Sequence, residues 1–157
     1  MGPAEALGMP DYNDSVQEGA VSLGKGGSLT VAFTDNSLTT SGDSAGDLWV
    51  FEIGSAVESF QVEISTNNVN WIDLGFVLGQ PTGIDIDAIA GVNVGELYSY
   101  VRLTDTPGNQ SGFPYGEADI DAIGAISSGQ AVPLPAPTGF ALFGLGLILL
   151  AVSRPRG

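Results

Sequence analysis

Several segments of this chain alternate between apolar and polar or small residues, and this pattern limits the fold more than any other feature. The segments 28–34, 60–65 and 97–103 all show this alternation. A period of two places every second side chain on the same face, which is typical of a β-strand with one buried face. The segment 48–53 is almost continuously apolar and predicts a strand between two covered faces.

Further strands are expected near 20–23, 69–74 and 119–126, and Gly, Asn, Asp and Pro cluster between the segments. Outside the C-terminal tail, no stretch keeps the period of a helix. About eight short strands at this spacing predict an all-β fold, namely an antiparallel β-sandwich of the jelly-roll type. We assign the sandwich to residues 1–128, a proline-rich linker and sorting motif to 129–138, and one hydrophobic helix with an Arg tail to 139–157.

The composition excludes several classes of chemistry. The 157 residues include no His and no Cys, so disulfides, thiolate or imidazole metal ligands and His-dependent catalytic triads cannot be built. Asp and Glu number 18 against 4 Lys and Arg, and the formal charge is -14. Because phosphate binding needs clustered basic residues, we expect no nucleic-acid partner. Hard cations bound by carboxylates, catalysis by carboxylates alone, and binding or structural roles remain.

The C-terminal tail is the most distinctive part of the sequence. Residues 139–152 contain no charged or strongly polar side chain, and Arg154 and Arg156 follow just before the chain ends. We interpret this tail as a transmembrane helix whose basic end stays on the cytoplasmic side, which places the sandwich outside the cytoplasm. The alternative is a buried helix of the globular domain, although such a helix is usually amphipathic.

A five-residue motif, VPLPA, precedes the apolar tail. It consists of Val132, Pro133, Leu134, Pro135 and Ala136. The order of motif, short apolar helix and terminal Arg residues resembles the PEP-CTERM class of bacterial sorting signals. This resemblance implies an exosortase-type membrane enzyme as a partner, and a cell-surface or extracellular-matrix protein that the helix anchors transiently in the inner membrane. Because residues 1–6 are not a signal peptide, we expect that the chain is truncated or that its start codon was placed too late.

Two further resemblances concern the sandwich. Residues 62–71 read VEISTNNVNW and residues 98–103 read YSYVRL. This pair resembles the discoidin or galactose-binding-like jelly roll, which often has an S-x-D-G-x-x-W hairpin and a later Y-V-R strand. The chain is also similar to a β-sandwich module of bacterial surface and PEP-CTERM proteins, over segments 6–11, 26–36, 47–52 and 118–123. The first resemblance implies a polysaccharide or another carbohydrate as the ligand.

Three acidic residues near the end of the sandwich are candidates for a metal site. Glu117, Asp119 and Asp121 are spaced by two residues, so a strand would place their carboxylates on one face. Ca²⁺ takes 6–8 oxygen ligands and would compensate such a row of like charges. Galactose-binding-like jelly rolls often hold structural Ca²⁺ between an early loop and the last strand, and this resemblance implies Asp11 as the early ligand. A solvated acidic face is the alternative.

The sequence DIDAI occurs twice, at 85–89 and at 119–123. Two copies of five residues are weak evidence for an internal repeat. We interpret Asp85 and Asp87 as part of a loop or a strand edge, with metal binding as a minor alternative.

The acidic residues do not indicate a catalytic pair. Catalysis by carboxylates alone needs two acids about 5–10 Å apart in a cleft. Glu52, Glu58 and Glu117 are among the acids that could supply one, but no spacing favours a particular pair. We therefore predict that the protein is not an enzyme.

Aromatic residues are the candidates for sugar contacts. Phe113 and Tyr115 lie in a Gly/Pro-containing loop and are predicted to bind the ligand, with burial as the alternative, whereas Trp49 and Trp71 are expected in the core. The sequence thus predicts an exported, non-enzymatic surface or matrix protein with a Ca²⁺-stabilised, carbohydrate-binding sandwich. The alternative is a purely structural matrix or adhesion protein without a discrete ligand.

Overall fold

The computed structural model describes residues 2–54, 56–106 and 117–135. This part of the chain contains one short 3₁₀ helix, Pro3–Ala6, and ten β-strands. The strands are β1 Val21–Ser22, β2 Ser28–Ala32, β3 Asn36–Leu38, β4 Leu48–Ile53, β5 Ser59–Ser65, β6 Ile72–Leu78, β7 Thr82–Ile84, β8 Tyr100–Asp105, β9 Asp119–Ala125 and β10 Ser128–Gln130. Every pairing between these strands is antiparallel.

Eight of the strands form two four-stranded sheets, with the orders β1-β9-β4-β7 and β2-β8-β5-β6, while β3 and β10 pair with each other. When β3 and β10 are left out and the remaining eight strands are counted in chain order, one sheet contains the first, eighth, third and sixth of them. The other sheet holds the second, seventh, fourth and fifth strands. Each sheet therefore combines strands from the first and second halves of the chain. The prediction of an all-β, antiparallel fold is confirmed, and the predicted helix at 139–157 lies outside the described residues.

The core lies between the two four-stranded sheets. Val50 and Ile120 from one sheet and Phe60 and Val62 from the other are fully buried members of a single hydrophobic cluster. Full burial of an aliphatic or aromatic side chain of this size contributes roughly 1.5–3 kcal/mol. Along β4 the residues alternate between buried and half-buried, so its outer face is only partly covered. The nearly continuous apolar run of β4 therefore reflects a partly shielded outer face, not full burial on both sides.

A β-bulge interrupts the pairing of β9 with β4. Phe51 pairs with Ala122 and Glu52 pairs with Ile120, which leaves Asp121 as the extra residue on β9. The bulge changes which residues of β9 face the core. Ile120 before the bulge and Ile123 after it belong to the core cluster, whereas Ala122 does not. The expected regular row of carboxylates at 117, 119 and 121 is therefore interrupted at its last member.

The sandwich extends slightly past the boundary expected at residue 128. Strand β10 pairs with β3 through Gln130, and the N–H of Val132 donates to Ser37 Oγ at 3.3 Å. The Ser-Gly-Gln sequence of β10 has no apolar alternation and therefore gave no strand signal.

Candidate functional site

Three aspartates from neighbouring strand ends form the candidate site. Asp47 directly precedes β4, Asp85 directly follows β7, and Asp87 lies two residues after Asp85. Since β4 and β7 are antiparallel neighbours with Leu48 opposite Ile84, the start of one strand and the end of the other meet at the same edge. One carboxylate oxygen from each aspartate lies within 4.8 Å of those of the other two, so this group could hold a metal ion.

Asp47 is the buried member of this group. Its side chain is 0% exposed, and its Oδ2 accepts the N–H of Ile86 at 2.9 Å. Its Oδ1 is also buried but has no hydrogen-bond partner. A buried carboxylate oxygen without a partner costs free energy, and such atoms are rare in folded proteins. A cation between the three side chains would remove this cost.

The other two aspartates are fixed by hydrogen bonds from nearby loops. Asp87 accepts the N–H and Oγ–H of Ser41, both at 3.2 Å, and the N–H of Gly42. Asp85 Oδ1 accepts the N–H of Asp87 at 2.9 Å. These bonds orient both carboxylates before any ligand arrives, so the site is largely preformed.

No basic side chain compensates the charge of this group among the residues that the structure describes. The salt bridge found in residues 2–54, 56–106 and 117–135 joins Arg102 to Glu63, with 2.6 Å between Nε and Oε2. Three carboxylates held together without a base repel one another. Oxygen-only donors of this kind suit a hard cation.

The structure brings two of the four predicted metal ligands, Asp11 and Asp121, into direct contact. The N–H of Asp11 donates to Asp121 Oδ1 at 3.0 Å, so the early loop does meet the last strand of the main sheets. Glu117 and Asp121 are buried and Asp119 is half-buried. Among the described residues, the aspartates at 47, 85 and 87 are the group whose ligand atoms lie within 4.8 Å of one another. Calcium binding at Asp11, Glu117, Asp119 and Asp121 stays a prediction.

A second acidic feature lies at the opposite end of β4. An open cavity of about 660 Å³ is lined by Tyr12, Asp14, Gln17, Glu52, Ile53, Gly54, Ala56, Glu58, Gln80 and Asp119. Glu52 continues the inward-facing row of β4, and its side chain is 3% exposed. Both of its carboxyl oxygens are buried, and its side chain interacts with Glu58 and Gln80 through hydrogen bonds. Sequence reasoning named Glu52 and Glu58 among many acids but did not pair them.

Three carboxyl groups that line this cavity, those of Glu52, Glu58 and Asp119, have raised pKa values. Burial, together with the adjacent Glu58, raises the pKa of Glu52 to about 8. Burial also raises the pKa of Glu58 and of Asp119, and the hydrogen bond between Asp119 and Ser22 opposes part of that increase. At neutral pH, Glu52 is therefore mostly protonated.

The aromatic predictions have mixed outcomes. Phe113 and Tyr115 lie outside the described residues. Trp49 and Trp71 were expected in the core, and this was wrong, because both are half-buried on outer faces. Trp49 donates its Nε1–H to Gly46 O at 3.2 Å, and the guanidinium carbon of Arg102 lies 4.2 Å from the ring centroid of Trp71. Each Trp thus has a polar or cationic contact that an apolar core would not supply.

The sorting motif is only partly described. Residues 132–135 follow β10 without regular secondary structure, while Ala136, Arg154 and Arg156 lie outside the described residues. Within the described ranges, none of the helical segments has the length and apolar character needed to cross a bilayer.

Comparison with protein-family models, with curated proteins and with solved structures finds no significant match.

Proposed function

We propose that this chain is a Ca²⁺-stabilised, non-enzymatic jelly-roll module that mediates surface or matrix association of an exported bacterial protein. The observation that carries the proposal is the Oδ1 atom of Asp47. It is buried and unpartnered within a group of three carboxylates that lacks a base. A bound cation is the simplest compensation for all three properties together.

The arrangement favours Ca²⁺ over Mg²⁺. Ca²⁺ binds oxygen at 2.3–2.6 Å in flexible geometries, so two of its ligands lie at most about 5 Å apart. The ligand atoms of the aspartates at 47, 85 and 87 all fall within 4.8 Å of one another, which is compatible with a shared Ca²⁺ ion. Mg²⁺ needs a near-ideal octahedron at about 2.0–2.1 Å. The three aspartates lie just outside strand ends, where the backbone imposes no octahedral arrangement, which suits the more flexible ion.

Calcium at this position would stabilise the sheet edge near the loop of residues 41–45. Asp47 links β4 to its neighbours through its backbone, because its N–H donates to Ile84 O and its carbonyl accepts from the N–H groups of Ile126 and Ser127. An ion bound by Asp47, Asp85 and Asp87 would therefore link the segment before β4 to the segment after β7. Through the backbone of Asp47, it would also support the turn at residues 126–127. This role is structural, which agrees with a surface module that must stay folded outside the cell.

Export and sorting are supported by the sequence of the tail. The VPLPA motif, the apolar segment and the terminal Arg residues support processing by an exosortase-type enzyme and transient anchoring in the inner membrane. The resemblance to galactose-binding-like sandwiches supports a polysaccharide as the partner. The intact mass of the protein from cells with and without the processing enzyme tests the sorting proposal. We expect a shortened chain only when the enzyme is present, and an uncut tail in both cells would contradict the proposal.

Thermal unfolding of the full chain in EDTA and across a Ca²⁺ titration tests the metal site. A ligand at 100 times its dissociation constant stabilises the folded state by about 2.7 kcal/mol, which raises the midpoint by several degrees. We expect this increase to saturate, and to be lost in Asp47→Asn but kept in Asp35→Asn, which removes an exposed carboxylate elsewhere. The same increase with NaCl alone, or an unchanged increase in Asp47→Asn, would contradict a site at Asp47.

A further inference from the structure

The aspartate group leaves coordination positions open toward solvent. Three ligand atoms, one each from Asp47, Asp85 and Asp87, lie close enough to share an ion. Ca²⁺ takes 6–8 oxygen ligands, so about three to five positions remain for other oxygens. Asp47 is fully buried, whereas Asp85 and Asp87 are half-buried, so the group opens on the side of the last two. Oxygen atoms of a ligand can therefore reach the ion from solvent.

Trp49 lies beside this opening. It follows Asp47 by two residues, so at most about 7 Å separates their Cα atoms. On the neighbouring strand, Gly83 pairs with Trp49, and Asp85 follows two residues later. Side chains two residues apart along a strand point to the same face, and the core side of β4 is taken by Leu48 and its alternate neighbours. Trp49 and Asp85 therefore share the outer side of the sheet.

The indole ring of Trp49 is held in place and is accessible to a ligand. Its Nε1–H donates to Gly46 O at 3.2 Å, which directs this edge of the ring toward the residue before Asp47. A Cβ at Gly83 would lie 2.8 Å from the ring, yet Gly83 itself is exposed. Gly124, which pairs with Trp49 on the other side, carries no side chain either. The half-buried ring is therefore not enclosed by a side chain at its paired position on either adjacent strand.

The ion and the ring together select the chemistry of a ligand. The open positions of the ion need several oxygens close together, and the indole ring needs an apolar surface. A sugar ring offers both, because it carries hydroxyl groups on adjacent carbons and C–H groups on its faces. Three carboxylates with one Ca²⁺ still have one excess negative charge, and the whole chain has a formal charge of -14. A neutral sugar therefore suits this surface better than an acidic one.

We propose that Trp49 and the Ca²⁺-loaded aspartate group bind a neutral polysaccharide through one of its sugar residues. A face of that sugar stacks on Trp49, and two of its adjacent hydroxyl groups complete the coordination of the ion. This inference rests on the proposed calcium site and names the surface at which that site would meet the matrix. It assigns the aromatic contact to Trp49, whereas sequence reasoning expected Phe113 and Tyr115.

Isothermal titration of the full chain with dextran, mannan, galactan and xylan tests this proposal. Each titration is run in Ca²⁺ and in EDTA, and equilibrium dialysis against labelled Ca²⁺ measures the metal site separately. Polyethylene glycol is the control polymer, because it is neutral but has no adjacent hydroxyl groups along its chain. We expect at least one polysaccharide to bind in a saturable way in Ca²⁺ and at least about tenfold more weakly in EDTA.

Variants of the two Trp residues locate the contact. Trp49→Leu keeps an apolar side chain beside Gly83 but removes the flat ring, so polysaccharide binding should weaken at least about tenfold while Ca²⁺ binding is unchanged. Trp49→Phe keeps an aromatic ring and should retain most of the polysaccharide binding. Trp71→Leu removes the half-buried Trp that contacts Arg102 and should leave both kinds of binding unchanged. Circular dichroism of the variants checks that the sandwich is intact.

The metal site and the sugar contact can fail separately. Ca²⁺ binding without binding of any of the polysaccharides would overturn this inference and leave the metal site standing, whereas no Ca²⁺ binding would overturn both. Equal polysaccharide binding in EDTA, or equal binding of polyethylene glycol, would also overturn the inference. An equal loss in Trp49→Leu and Trp71→Leu, or a loss of Ca²⁺ binding in Trp49→Leu, would mean that Trp49 has only a structural role.

Discussion

Replacing Glu52 with Gln should change how the stability of the sandwich depends on pH. In the folded protein, burial and Glu58 raise the pKa of this carboxyl group from 4.5 to about 8. The folded state therefore holds a proton on Glu52 over a range of pH in which the unfolded chain has lost it. Gln carries the shape and neutrality of the protonated acid at every pH, so the variant lacks this titration.

The sign and the magnitude follow from proton linkage. Between pH 4.5 and about 8, the folded state binds more protons than the unfolded state, so the free energy of unfolding falls as the pH rises. The pH-dependent contribution of Glu52 to the free energy of unfolding is fully present below pH 4.5 and is lost as the pH passes through about 8. Each unit of pKa corresponds to about 1.4 kcal/mol. The difference between 4.5 and about 8 therefore sets an upper limit near 5 kcal/mol on the change in the free energy of unfolding. Because the cavity opens to solvent, we expect roughly 1–3 kcal/mol.

Urea denaturation of the parent chain and of Glu52→Gln from about pH 5 to about pH 9 measures this difference. The two proteins should be similar in stability at the acidic end, and the variant should be the more stable at the alkaline end. Glu18→Gln controls for the general effect of removing one negative charge. Parallel stability curves for the parent chain and Glu52→Gln would refute the reasoning, since they would mean that Glu52 titrates alike in the folded and unfolded chains.

Two further predictions concern the aromatic side chains on the outer faces. A Cβ at Gly83 would lie 2.8 Å from the ring of Trp49, so Gly83→Ala should destabilise the protein by about 1–3 kcal/mol and shift its Trp fluorescence. Gly124→Ala is the control, because its nearest neighbour would be 3.9 Å away, and an equal loss in both variants would contradict the packing argument. Arg102→Lys should cost about 1 kcal/mol in urea denaturation, because Lys keeps the charge but loses the forked hydrogen bonds and the contact with Trp71. No change in stability would mean that this partly exposed pair contributes only its charge.

The strands with clear alternation were predictable from the sequence, and the three-residue strands were not. Strands β1, β2, β4 and β9 lie within predicted segments, and β5 begins one residue before its predicted segment. The alternation in β2, β4, β5 and β9 arises because each buries one apolar face against the other sheet. Strands β3, β7 and β10 have three residues each and are set by their pairing partners, so they leave no periodic pattern. The bulge at Asp121 depends on the β4–β9 register, which also cannot be derived from the pattern of one strand.

The candidate site shows the same limit. Asp85 and Asp87 were visible as a repeated motif, but their relation to Asp47 depends on the pairing of β4 with the short strand β7. The pairing of Glu52 with Glu58 likewise depends on how the chain returns after β4. Carboxylates are common in this acidic chain, so composition alone could not show which of them meet.

Equilibrium dialysis of the full chain against labelled Ca²⁺ tests most directly whether the three aspartates form a metal site. The parent chain should bind calcium in a saturable way, with a component that is lost in Asp47→Asn and Asp87→Asn but kept in Asp35→Asn. This result would establish that the unpartnered oxygen of Asp47 is completed by a cation. Calcium binding that is absent from the parent chain, or that survives unchanged in Asp47→Asn, would contradict the proposed site.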